Sequence, residues 1–216
     1  HLLGRSLLSR VGKELFQLHQ LLREFFAAKL VGEERRQLKT AVAMTLIAVA
    51  KKIPDTPTLE QIQAVEAAIP HLKEVATDLM KLKIQEELYL PNKDDLNWAF
   101  VGIGTFYYGQ GLYAKAEPWL ENGLTTVRSL LGEQHPAVAD NLNDLAVLHE
   151  FQGRYELAES LFQQALQLRL SLFGEHHPDV ATSLNHLGGI YESQGRYELA
   201  ESLFQQALQL RRSLLG

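Results

Sequence analysis

Apolar residues recur along most of this chain at the three- and four-residue steps of amphipathic helices. In the second half Val138, Leu142, Leu145 and Leu148 form one stripe, and Val180, Leu184, Leu187 and Tyr191 form another further on. A proline precedes each stripe, Pro136 or Pro178, and suits a first helical turn because an N–H there has no partner to lose. Each stripe ends at a glycine, Gly153 or Gly195, of the kind that closes a helix in the left-handed conformation. A second helix follows, with Tyr155, Ala158, Leu161, Phe162, Ala165 and Leu168 on one side. Gly174, and Gly216 at the end, repeat the helix stop.

The pattern is a repeat. The string QGRYELAESLFQQALQLR at Gln152–Arg169 returns unchanged at Gln194–Arg211, an offset of 42 residues. A period of that length marks stacked supersecondary units, each unable to bury its apolar face alone. The units extend over Gly132–Phe173 and Gly174–Leu215, and a worn copy occupies Leu90–Leu131. That copy keeps Gly111, Tyr113, Ala116 and Glu117 where the later units have Gly153/Gly195, Tyr155/Tyr197, Ala158/Ala200 and Glu159/Glu201. Small residues, Ala146/Gly188 and Ala158/Ala200, stand where two helices have to approach closely.

These positions resemble the tetratricopeptide repeat (TPR). The family's small eighth residue is matched by Gly104, Ala146 and Gly188, and its aromatic three places later by Tyr107 and Tyr191, with His149 departing. Its small–large–small pattern in the second helix is matched by Ala116, Leu120, Gly123; by Ala158, Phe162, Ala165; and by Ala200, Phe204, Ala207. Arg128, Leu170 and Arg212 stand where the family often closes on proline. The long period and the G-E-x-H-P-x-V-A opening are similar to the kinesin-light-chain variety. The resemblance implies an all-α solenoid, a right-handed superhelix of helix pairs, with repeats at 90–131, 132–173 and 174–216.

Glu34 to Lys52 and Thr58 to about Glu87 are helical in pattern too. Ile62, Val65, Ile69, Leu72, Val75, Leu79 and Leu82 make a 3.6-period stripe. Pro70 is expected to divide the second stretch, and Pro54-Asp55-Thr56-Pro57 is a break. Residues 33–89 then read as a helical spacer of degenerate pairs capping the solenoid. Further upstream, Leu7 to Leu18 around Gly12 reads as a β-hairpin and Leu21 to Leu30 as a helix. This is similar to the end of the winged-helix domain of STAND-type (NB-ARC and NACHT) signalling ATPases, so residues 1–32 are expected to be a winged-helix remnant. Leu18-His19-Gln20, followed by Leu22-Arg23-Glu24-Phe25, falls where that family carries a Met-His-Asp signature, with Gln20 in place of Asp. The resemblance implies that His19 senses nucleotide if an ATPase lies upstream. The chain would then be the sensor part of a bacterial, especially cyanobacterial, STAND protein. The alternative is a free-standing TPR adaptor. The start on His1 rather than Met favours a piece of something longer.

Composition narrows the chemistry. The formal charge of -5 argues against a grip on nucleic acid, which needs a basic patch. With no cysteine there are no disulfides or thiolate metal sites, which fits a cytoplasmic protein. The apolar run Ala41–Ala50 falls short of the roughly 20 residues that span a membrane. No phosphate-cradling G-x-x-x-x-G-K-[ST] loop is present, and Gly102-Ile103-Gly104 lies inside a repeat helix. His135, His176 and His177 read as turn residues before proline rather than metal ligands, His149 as core, and His186 as a surface residue. Glu156, Glu159, Glu198 and Glu201 read as a solvated face. The expectation is a scaffold with no enzyme activity, no cofactor and no metal.

What remains is a partner surface. In TPR arrays the first helix of each unit lines a concave groove. The register puts Trp98, Val101, Thr105 and Tyr108 there from the first unit and Asp140, Asn143, Val147, Glu150 and Phe151 from the second. The third contributes Thr182, Asn185, Gly189, Glu192 and Ser193. Asn143 and Asn185 recur at one spot, although Asn is disfavoured in helix interiors. Simple duplication accounts for this, and so does a role in gripping a peptide backbone through the amide. With Glu150 and Glu192 the groove is expected to prefer neutral or basic segments of a protein or peptide. Around Leu203, Phe204 and Leu208 the last helix lacks a neighbour, and weak self-association is expected through that end.

Overall fold

A computed structural model of the chain describes residues 32–54, 57–81 and 93–215. Every regular element among the described residues is helical. The elements are α1 (Gly32–Ala50), α2 (Leu59–Glu66), α3 (Ile69–Lys81), a 3-10 turn (Lys93–Leu96), α4 (Asn97–Tyr108), α5 (Tyr113–Leu131), α6 (Pro136–Phe151), α7 (Tyr155–Phe173), α8 (Pro178–Ser193) and α9 (Tyr197–Leu215). The proposed hairpin and winged-helix remnant, His19, and Leu82 to Glu87 lie outside the described residues.

The last six helices form three pairs, α4–α5, α6–α7 and α8–α9. Each later pair stacks on the one before, α6 against α5 and α8 against α7, which makes the array an α-solenoid. The small residues of the pattern sit at the close approaches. A Cβ on Gly104 would lie 2.5 Å from Leu120 Cδ2, and one on Gly123 would lie 2.8 Å from Phe100 Cβ. Phe100, Phe162 and Ile190 are fully buried, and Ala146 and Ala158 close around Phe162.

Ahead of the pairs, α1 and α3 pack on α4 around Ile47, Leu72, Ala76, Phe100 and Ile103. The break between α2 and α3 falls at Ala67 and Ala68, not at Pro70. Pro70 is instead the second residue of α3, in the first turn, where proline costs no hydrogen bond. Helix α2 starts at a capping box: Thr58 Oγ1 accepts from the Gln61 N–H at 3.3 Å, and Gln61 Oε1 accepts from the Thr58 N–H at 2.8 Å. Among the described residues no helix is long and apolar enough to cross a membrane.

Candidate functional site

The groove-facing helices are held in register by their ends. His135 and His177 cap α6 and α8, their Nδ1 atoms accepting from the N–H groups of Ala137 and Asp179 at 3.2 Å. His177 also stacks on Phe173, ring centroids 4.2 Å apart. Both histidines are thus turn residues, and no group of three or more potential metal ligands occurs among the described residues.

The far ends close in one recurring turn. Gly153 has φ +72°, its N–H donates to Glu150 O, and the next N–H, of Arg154, reaches back to His149 O at 2.9 Å. The same two bonds recur at Gly195–Arg196 and at Gly111–Leu112. This turn aims the residue after the glycine at the preceding pair. Arg154 Nη1 and Nη2 donate to the two oxygens of Glu117 on α5, at 2.6 and 3.1 Å, and Gln152 Nε2 donates to the second oxygen at 3.1 Å. Those donors hold the Glu117 carboxyl below the usual carboxylate range, Arg154 contributing most. One unit on, Arg196 and Gln194 donate to Glu159 Oε2 at 3.0 and 3.1 Å.

None of the expected groove residues is part of the fully buried core. Trp98, Asp140 and Glu192 are exposed, while Val101, Thr105, Tyr108, Asn143, Val147, Glu150 and Asn185 are half-buried. Tyr108, Glu150 and Glu192 hold the same repeat position on α4, α6 and α8, and so form a row along the face of the first helices. At its α4–α6 end three rings meet. Tyr108 lies edge-on to Phe151 at 5.1 Å between centroids, and Tyr113 lies 5.7 Å from Tyr108 and 6.1 Å from Phe151. Phe151 is nevertheless 56% exposed. Beside it, burial raises the pKa of Glu150 above the ordinary carboxylate value.

Two expected contacts are already committed within the fold. Asp140 Oδ1 accepts from Arg169 Nη2 of α7 at 2.8 Å. Asn143 Oδ1 lies 2.6 Å from His186 Nδ1, a geometry that makes the imidazole the donor. His186 is therefore not a surface residue. It is wedged between α6 and α7, its ring 5.2 Å from that of Phe162, and burial, with Arg169 and Arg211 adding, lowers its pKa. His149 is buried, as its place in the pattern implied. Arg169 itself was legible only as an oddity: a cation seven residues after Phe162, on the stripe that should be apolar.

Paired helices stacked in this way define a helical-repeat scaffold. The tetratricopeptide repeat profile matches residues 95–171 and 149–213, together more than half of the chain, so the chain belongs to the tetratricopeptide repeat family. Among solved structures, BtubC (BKLC) from P. vanneervenii is similar at 23% identity and a TM-score of 0.61, over 84% of this chain and 74% of that one. A Podosopora anserina kinesin-light-chain-like protein with nearly identical TPR-like repeats, and its Q17M variant, are similar at 18% identity and TM-scores of 0.59 and 0.60. Each comparison covers 86% of this chain and 80% of the other. At these identities the likeness concerns the fold. No curated protein matches the chain in sequence. TPR folds generally mediate protein–protein interaction and are generally non-enzymatic.

Proposed function

We propose that the face of α4, α6 and α8 binds a neutral or basic peptide segment of a protein partner. The observation that carries this reading is the ring cluster of Tyr108, Tyr113 and Phe151, which leaves Phe151 exposed beside a row that also holds Glu150 and Glu192. Exposed aromatic residues in a groove are the usual anchors of an interface, and the face of an aromatic ring attracts a cation. Val101, Thr105, Val147 and Trp98 extend the row toward the other end of the helices. Asn143 and Asn185 take different parts in it. The Asn143 oxygen is taken by His186, so its amide nitrogen is the group left to donate, whereas Asn185 offers both. The repeats themselves favour a groove that reads its ligand. The second helices are identical through Gln152–Arg169 and Gln194–Arg211, while the first helices differ at groove positions 140/182, 147/189 and 151/193.

Selection from a random peptide library displayed on phage tests the reading. Selected peptides should carry Lys or Arg and little Asp or Glu. Their affinity should fall on Phe151→Ser, which copies the third unit's Ser193, and on Asn143→Ala with Asn185→Ala, while helicity by circular dichroism is retained. Acidic peptides, or peptides indifferent to all three changes, sink it.

The stretch from Leu18 to Phe25 supports a further step, in which the groove is the sensor of a STAND-type switch ATPase and His19 reads its nucleotide. Sequencing the reading frame upstream of His1 tests that step. A phosphate-loop motif is the supporting outcome, and a start codon with no such motif leaves a free adaptor.

A further inference from the structure

The outer face of α9 copies a face whose occupant is visible elsewhere in the molecule. α9 and the turn before it repeat the sequence of α7 and its turn, residue for residue, through Arg211. α7 is covered by α8, and four side chains of α7 make the contact specific. Glu159 accepts from Gln194 and Arg196 of the turn after α8. Gln163 Nε2 donates to the Tyr191 hydroxyl at 3.4 Å. Phe162 meets the His186 ring, and Arg169 Nη1 donates to Ser183 Oγ at 2.8 Å. On α9 the same four are Glu201, Gln205, Phe204 and Arg211.

There the face is open. Tyr197 is 69% exposed and Leu208 50%, whereas their counterparts Tyr155 and Leu166 are half-buried under α8. Tyr197, Ala200, Glu201, Phe204, Gln205 and Leu208, with Glu192 from the end of α8, line one continuous depression. Glu201 accepts from Gln205 of its own helix, as Glu159 does from Gln163, and keeps room for a further donor.

We infer that this face of α9 is a docking site for a helix that ends in a Gln-Gly-Arg turn, the element that covers α7. Four features define the occupant. It brings a hydroxyl to Arg211, a ring to Phe204, a tyrosine to Gln205 and the turn's arginine to Glu201. A second copy of the chain has no such element to spare, because α6 and α8 with their turns are already seated on α5 and α7. The occupant is therefore a repeat-type helix–turn segment outside these 216 residues. The depression meets the groove row at Glu192, but the four contacts that define the occupant lie on α9, so the inference stands without the groove.

The chain carries its own probe. A fluorescein-labelled peptide spanning Glu175–Arg196 holds α8 with its cap and turn, and its anisotropy is read as the 216-residue protein is titrated in. Saturable binding of one peptide per chain is expected. Glu201→Lys should weaken it roughly tenfold or more, since a reversed charge meets the turn's arginine. A peptide with Arg196→Glu should bind the wild type poorly and the Glu201→Lys protein well. Phe151→Ser should leave the affinity unchanged, which separates this site from the groove's ring cluster. Any self-association through α9 should dissolve as peptide is added. The inference is overturned by absence of saturable binding, by affinity indifferent to Glu201→Lys when circular dichroism shows the variant folded, or by a dimer that persists at saturating peptide.

Discussion

The pair Asp140–Arg169 gives an asymmetric prediction. The Arg169 side chain is 7% exposed and that of Asp140 56%. Arg169 donates to Asp140 Oδ1 and Ser183 Oγ, both at 2.8 Å, and more weakly to Asp179 O at 3.5 Å. The two partners therefore face unequal alternatives when the other is removed. Asp140→Ala strands a buried guanidinium with a hydroxyl and a distant carbonyl, and such a loss costs about 1–3 kcal/mol. The solvent that reaches Asp140 screens the pair and places the expected value toward the lower half of that range. Arg169→Met returns Asp140 to water and puts an apolar side chain where the first unit has the fully buried Val127. It should cost less than Asp140→Ala, and once Arg169 is Met, Asp140→Ala should cost almost nothing. Urea unfolding of the wild type, both single variants and the double variant, followed by circular dichroism, gives the coupling directly. A coupling of about 1–2 kcal/mol is expected, and for a protein of this size each kcal/mol moves Tm by about 2–4 °C. A coupling within about 0.5 kcal/mol of zero would show that Asp140 leaves Arg169 no better off than water does, and the reasoning fails.

Gly153 tests the turn that aims Arg154. With φ at +72° and nothing within 4 Å of an added Cβ, Gly153→Ala should lower stability through backbone conformation alone, by about 1–2 kcal/mol. Gly153→Asn should lose less, because Asn tolerates the left-handed region, and equal losses in thermal melts would count against this account. His186 gives a pH dependence. Its folded-state pKa lies below the ordinary 6.5, so the unfolded chain binds the proton more readily. Its contribution is then fully present above about pH 6.5 and is lost as pH falls through the folded-state value. His186→Asn should flatten the change in urea midpoint between about pH 7 and pH 5, and an unchanged slope would assign that slope to other groups.

Much of the repeat array was legible because it is written in residues with local consequences. Pro136 and Pro178 open helices, Gly153 and Gly195 close them, and Gly104, Ala146 and Gly188 mark the close approaches. What the pattern concealed lies between units. A stripe analysis assigns one apolar face to each helix. In a solenoid the first helix of a unit is sandwiched: α8 packs on α9 of its own pair and on α7 of the pair before. His186 reads as a surface residue beside the stripe of Leu184 and Leu187, yet it points into that second contact. The second contact is also where polar side chains are used. Asn141 Nδ2 reaches Asn97 Oδ1 at 2.7 Å between the first two units, and Arg169 reaches Ser183 between the next two. Polar contacts across a seam carry no periodic signal, so sequence spacing does not reveal them.

The same sandwich bears on ligand reading. A first helix with two faces buried has a narrow strip left for a partner, and residues at the edge of that strip answer to both duties. Asp140 holds Arg169 and Asn143 holds His186, while Phe151 and Glu192 hold no cation among the described residues. The first two are fixed in place by the stacking of units, and their side chains reach a ligand pre-oriented. Phe151 and Glu192 keep the freedom to adjust to it. Exchanging Asp140 or Asn143 should therefore change stability along with affinity, whereas exchanging Phe151 or Glu192 should change affinity alone. That split, read from denaturation and peptide binding on the same four variants, distinguishes residues that build the groove from residues that use it.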